Sequence, residues 1–237
     1  MSGETPEARY KEQAALKAVA EEVRDGMIVG LGTGSTAAYV LEEIARRIRE
    51  EGWKLRGVPT SERTAATAQR FGIPLTGLDA PPDVAIDGAD QVDPALNLIK
   101  GRGGAHVREK VVALAARRVA IVAVHTKAVS RLRGPVPLEV LPFALPWLFR
   151  ALPARLPECT PQVRVQDGRP LLSDNGNILV DLVCGPLSNP AAIASELDAT
   201  AGVVDHGLFL GIADVVYLAG PDGVQKLVAG RHPEDRG

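Results

Sequence analysis

The chain has 237 residues, 46% of them hydrophobic, enough for a buried core in one large or two small domains. A formal net charge of −2 and only 4% aromatic residues leave neither a basic stripe nor a set of base-stacking rings, which speaks against a nucleic-acid partner. The amino-terminal segment MSGETPEARYKEQ is polar, and no apolar run reaches the ~18 residues of a membrane span, so a cytoplasmic protein with no membrane partner is expected.

Apolar positions Ala14, Ala15, Ala18, Val19 and Val23 recur at helical spacing over 6–25, and Asp25-Gly26 ends that helix before the β-like run 27–31. A glycine-rich turn follows, then a second helical stretch over 36–50 with Ala37, Val40, Leu41, Ile44 and Ile48 on one face. Short apolar runs at Leu55–Val58, Val84–Ile86 and Val119–Val124, with helical stretches between them, predict a parallel α/β sheet of Rossmann-like type. From about Pro135 the rhythm changes to strand 138–141, helix 143–152, strand 161–166, strand 178–183, helix 190–200 and strand 203–209. That order is β-α-β-β-α-β, the ferredoxin-like plan. The run Val215–Leu218 before the GPDG turn is expected to rejoin the first sheet. The expected organisation is therefore a Rossmann-like domain of 1–133 and 207–237, with a smaller inserted domain over 134–206 that is a candidate for oligomerisation. The final GRHPEDRG reads as a loose polar end. Cys159 and Cys184 stand in no Cys-x-x-Cys pattern and read as two buried thiols. Arginine outnumbers lysine, 20 to 7, as in a GC-rich genome or a heat-adapted host.

Three segments carry chemistry. Between the first strand and the second helix, Gly30-Leu31-Gly32-Thr33-Gly34-Ser35-Thr36-Ala37 lets backbone approach an anion at a helix amino terminus, with three hydroxyls as further donors. The stretch Gly32–Ala37 also fits a dinucleotide fingerprint, but the strand that should end near a ribose-binding acid ends Val58-Pro59-Thr60, and no lysine precedes Ser35 as in a Walker loop. A terminal phosphate is the better ligand. Next, Asp83-Val84-Ala85-Ile86-Asp87-Gly88-Ala89-Asp90 places Asp87 and Asp90 beyond the carboxyl end of a buried strand, where α/β sheets collect ligands; aspartates at such a turn also serve simply as caps. Then Lys100-Gly101-Arg102-Gly103-Gly104 forms an anion-ready loop ahead of a helix on which Glu109 is flanked by Val107, Val111 and Val112. Partial burial would raise its pKa and suit a carbon-acid base. By its own surroundings Glu109 reads more readily as a helix acid pairing with Arg108, Lys110 or N–H groups on the Ala105 side of its helix.

Together GLGTGST, DVAIDGAD, KGRGGAHVREK, the VHTK ending at Lys127, SDNGN at 173–177 and the late GPDGV resemble the type A ribose-5-phosphate isomerase family, in order and across nearly the whole chain. The resemblance implies interconversion of ribose 5-phosphate and ribulose 5-phosphate in the non-oxidative pentose phosphate pathway, without metal or nucleotide cofactor, by a homodimer or homotetramer. It implies catalytic roles for Glu109, Asp87, Asp90 and Lys100. Substrate contacts are implied at Thr33, Gly34, Ser35, Thr36, Asp87, Gly88, Ala89, Asp90, Lys100, Gly101, Arg102, Gly103 and Lys127. The chain departs from the family pattern at Arg102, where a glycine is usual, at His125, where an aspartate is frequent, and near Lys11, where a lysine pair is common. A non-catalytic sugar-phosphate sensor is the alternative, though such regulators carry a DNA-reading module and the phosphate loop here begins by residue 30.

Overall fold

The computed structural model describes residues 5–230, and the segment 231–237, most of the polar end read above, lies outside them. Among the described residues the chain divides into two compact units: 5–89, 108–128 and 211–230 fall in the first, and 90–107 with 129–210 in the second. No helix among the described residues is long and apolar enough to cross a membrane.

The first unit is built on a six-stranded sheet in the order 223–228, 215–220, 119–124, 84–88, 28–31, 56–59. All neighbours run parallel except the edge pair Val215–Gly220 and Gly223–Val228, which is antiparallel. Val119–Val124 is buried at all six positions, which explains why it reads as one apolar run with no alternation: a central parallel strand is covered on both faces. The run Val215–Leu218 does rejoin this sheet, pairing with residues 120–123.

Helix Pro6–Glu22 starts at Thr5, whose hydroxyl accepts the Ala8 N–H, with proline in the first turn, where its missing N–H costs nothing. It buries Ala14, Ala15, Ala18 and Val19 in the same core as Ile44, Ile86 and Tyr217. The Tyr217 hydroxyl donates to Glu22 at 2.6 Å and Glu21 at 2.9 Å, and Arg118 also donates to Glu22, fastening this helix to strand Val215–Gly220 and to the segment just ahead of Val119–Val124. Burial, reinforced by the two carboxylates it serves, pushes the Tyr217 phenol well above its usual range, and Lys226, Lys17 and Tyr217 hold Glu21 down at about 2.

The second unit carries a four-stranded antiparallel sheet, Val203–His206, Val136–Val140, Ile178–Cys184 and Cys159–Val163 in that order, with helices Leu145–Arg155 and Pro190–Asp198 between strands. This is the β-α-β-β-α-β plan with fourth strand beside first. The unit extends beyond 134–206 because the apolar stretch 203–209 is two strands, not one. At Gly207 the chain leaves the four-stranded sheet: its N–H donates to Pro137 O and its carbonyl accepts the Lys100 N–H. Leu208–Phe209 then pairs with Leu98–Ile99, which in turn pairs with Gln91–Val92.

Cys159 and Cys184 are not separate thiols. They stand directly opposite each other on antiparallel neighbours and form a disulfide with Cα atoms 4.4 Å apart. The reading as free thiols fails because strand register, which the 25-residue separation does not reveal, decides the pairing.

Candidate active site

In the first unit, parallel strands put their carboxyl ends on one edge; the Gly32–Thr36 loop follows strand Ile28–Leu31 there, and Asp87 lies near the end of strand Val84–Gly88. Gly32 leaves the strand Ile28–Leu31 with its N–H on Ile86 O, and Gly34 turns with φ 120° to open helix Ser35–Glu51. A side chain seldom adopts that φ, and no side chain caps the helix, whose first-turn N–H groups are the kind of donor an anion takes. Ser35 is exposed and Thr36 half-buried. Thr33 departs from the reading that made its hydroxyl a ligand donor. That hydroxyl is buried and bonded to Thr60, Ser61 and Thr64 at 2.8, 2.8 and 3.0 Å, while Thr64 donates onward to Gly32 O. The cluster braces the loop from behind. Beside it lies a cavity of about 280 Å3 lined by Ser35, Arg63, Thr64 and Thr67 among others. None of Thr60, Ser61, Arg63, Thr64 or Thr67 stands out in sequence; the single hint is the hydroxyl run Thr60-Ser61 at the strand end.

Asp87 ends strand Val84–Gly88 and is buried, its Oδ1 accepting Thr33 N–H at 3.0 Å and Gly88 N–H at 2.7 Å. Acid and phosphate loop are thus one construction. Glu109 lies on helix His106–Ala115, which belongs to this unit from Arg108 onward, and is 5% exposed, whereas Val111 on the outer face is 48% exposed. The helix presses Val112 onto the bare face of Gly30, where a β-carbon would lie 2.6 Å from Val112 Cγ1. The packing brings Glu109's helix onto the very strand that feeds the phosphate loop. Arg108, an alternative partner for Glu109, faces Glu62 at 4.0 Å. Lys127 follows strand Val119–Val124 in a single 3-10 turn and is half-buried, and its charge is felt by Glu7, whose carboxyl is lowered chiefly by Lys11. Lys11 is ion-paired to Glu7 at 2.7 Å, and His125 meets the Tyr10 ring edge-on at 5.7 Å.

The second unit holds the remaining predicted residues. Asp90 is half-buried and its carboxylate accepts the Arg102 N–H at 3.0 Å, while the Arg102 side chain and Gly103 are exposed. Lys100 is only 4% exposed, and its ammonium lies 5.4 Å from the centre of the Phe209 ring, an aromatic neighbour that sequence reasoning missed. SDNGN at 173–177 folds back so that Asn175 and Asn177 amides donate to Glu139, a fully buried carboxylate. That fixes the segment as structural support. Among the described residues the grouping of metal-ligand type is Asp198, Asp205 and His206. His206 Nδ1 accepts the Leu208 N–H at 3.1 Å, which puts the ring proton on Nε2, facing Asp198 at 3.1 Å. A metal there would have to displace that proton, so the trio is built as a hydrogen-bonded cap.

A parallel sheet whose strand ends carry a glycine-hydroxyl anion loop beside two buried carboxylates defines an α/β protein for a small phosphorylated ligand. The family model for ribose 5-phosphate isomerase A (phosphoriboisomerase A) matches residues 56–223, and the chain belongs to that family. It is 50% identical over 221 residues to a ribose-5-phosphate isomerase A of Chloroflexus aurantiacus, covering 91% of each chain. A Roseiflexus relative of the same name is 47% identical, covering 93% of this chain and 96% of its own. Among solved structures, ribose 5-phosphate isomerase from Plasmodium falciparum superposes with a TM-score of 0.91 at 37% identity, over 94% of this chain and 100% of that one. A D-ribose-5-phosphate isomerase in complex with phospho-erythronic acid gives 0.88 at 35% identity, over 93% and 98%.

Proposed function

We infer that this chain interconverts D-ribose 5-phosphate and D-ribulose 5-phosphate through an enediolate, in the non-oxidative pentose phosphate pathway. The observation that carries the reading is Glu109, a buried acid on a helix packed against the strand that leads into the phosphate loop. Family membership supports it, as does the relative bound to phospho-erythronic acid. In this reading the substrate phosphate anchors at Ser35, Thr36 and the N–H groups of the loop, with Lys127 as a further cation in contact with the substrate. Binding at that remote end aims the open-chain sugar. Glu109 takes the proton from carbon 2 and returns it to carbon 1, Lys100 steadies the developing oxyanion, and Asp87 with Asp90 moves protons among the oxygens and helps open the ring. The residues Gly34, Gly88, Ala89, Gly101, Arg102 and Gly103 contribute through backbone. The cation departures fit without strain, since the Arg102 side chain is exposed and Lys11 already has Glu7.

Purified protein mixed with ribose 5-phosphate in chelator, with no nucleotide, is expected to produce ketose. Binding without conversion would instead make the chain a sensor. A doubly charged substrate that does not cross membranes supports a cytoplasmic place of work, and a disulfide such as Cys159–Cys184 is compatible with that in a heat-adapted host. We further propose that the chain self-associates through the second unit, where Leu141, Phe143 and Trp147 expose 46, 98 and 40% of their surfaces within seven residues of chain. Sedimentation velocity should return a dimer or tetramer, and Phe143→Asp should shift it toward monomer; a wild-type monomer at micromolar concentration would end the idea.

A further inference from the structure

The loop that carries Lys100 is glycine-rich, and Gly101 and Gly104 take left-handed φ values of 101° and 79°. Such a segment does not hold a lysine still by itself. Within the second unit it is pinned by three separate contacts. The Lys100 N–H is bonded to Gly207 O, the Arg102 N–H to the Asp90 carboxylate, and the carbonyls of Gly101 and Arg102 both to Nη1 of Arg164, each at 3.0 Å. Arg164 comes from the segment just beyond strand Cys159–Val163, more than sixty positions away in sequence. Its guanidinium does not choose its own direction. Nε and Nη2 form a two-pronged pair with Asp181 at 2.8 and 2.7 Å, which turns Nη1 onto the loop. Its backbone is fixed too, the N–H to Leu179 O and the carbonyl to Leu171 N–H. The Arg164 side chain is 14% exposed and that of Asp181 25% exposed, so the pair is half-buried.

Three features set this apart from a surface ion pair. The fork is bidentate, which fixes a plane that a lysine cannot fix. One nitrogen serves two consecutive carbonyls, which constrains the Gly101–Arg102 and Arg102–Gly103 peptide planes. The supports act on backbone, so they set where the lysine starts without touching its ammonium.

We propose that Arg164, oriented by Asp181, is a positioning residue of the reaction, locking the Gly101-Arg102 peptide so that Lys100 is held in place before substrate arrives. The inference rests on the reading of Lys100 as the group that stabilises the oxyanion. An interaction realised only in the transition state shows in kcat more than in KM. Misplacement of a catalytic group by about 1 Å can cost on the order of 100-fold, so Arg164→Ala is expected to lower kcat by about 10- to 100-fold with KM for ribose 5-phosphate little changed. Arg164→Lys should recover only part of that loss, and Asp181→Asn should give a smaller loss in the same direction.

The decisive measurement is a double-mutant cycle on kcat with Lys100→Ala. If Arg164 acts through Lys100, adding Arg164→Ala to Lys100→Ala costs little further rate, whereas a merely structural arginine costs the same factor in both backgrounds. Wild-type kcat in Arg164→Ala beside a large loss in Lys100→Ala would overturn the positioning role while leaving the reading of Lys100 intact. Wild-type kcat in Lys100→Ala would overturn both. Should Arg164→Ala fail to fold, the same cycle is run with Asp181→Asn, which keeps the guanidinium and removes only its guide; full additivity there would likewise overturn the proposal.

Discussion

Glu109→Gln should lower kcat for ribose 5-phosphate by about 10²- to 10⁴-fold, the usual contribution of a general base, while leaving the fold and KM nearly unchanged. The expectation follows from where the side chain sits. Glutamine keeps the length and shape of glutamate, so a residue 5% exposed beside Val112 and Ala113 can be exchanged with little repacking. What it cannot do is accept a proton from carbon. A purely structural Glu109 makes the opposite forecast, a lowered melting temperature with turnover maintained. Turnover within a few-fold of wild type, with a normal melting curve, would remove Glu109 from the role of base.

The candidate site segments that the sequence offers share a property: each is a contiguous run whose local structure can be read without knowing what packs against it. The phosphate loop shows itself because a strand, a glycine turn with φ 120° at Gly34 and a helix must follow one another directly. Asp87 is a candidate in sequence because it stands at the carboxyl end of an apolar run, where α/β sheets collect ligands. Central strands such as Val119–Val124 are legible for the same reason, since burial on both faces leaves an uninterrupted run. What stayed hidden depends on register between distant segments. Thr33 looks like a ligand donor until Thr60, Ser61 and Thr64 are seen to claim its hydroxyl. The cysteines look like unrelated thiols until the strand pairing sets them face to face. Phe209 under Lys100 and Arg164 behind its loop lie over sixty residues away or more. Two-residue strands such as Leu98–Ile99 are too short for any period to be read, and they are what carries the second unit beyond the inserted segment.

Gly32→Ala should reduce kcat/KM by roughly 100-fold, for a reason unlike the one that demands glycine two positions later. At Gly34 the constraint is conformational: φ is 120°, and no atom lies within 4 Å of where a β-carbon would sit. At Gly32 no left-handed φ is involved and the constraint is space. A β-carbon there would stand 2.2 Å from Oδ1, 2.4 Å from Cγ and 2.6 Å from Cα of Asp87. The carboxylate tip has room to rotate away, but the Cα belongs to the central strand and does not yield cheaply. Relief must therefore come from moving the Asp87 carboxylate and spreading the two strand ends. That breaks the Thr33 N–H bond to Asp87 and disturbs the loop and the acid proposed to shuttle protons in one step. The accompanying loss of stability, about 1–3 kcal/mol for an overpacked site, leaves the protein folded at room temperature, so a thermal melt separates the two effects. A Gly32→Ala protein that melts a few degrees early yet retains wild-type kcat/KM would show that the position of Asp87 is not what the bare glycine protects.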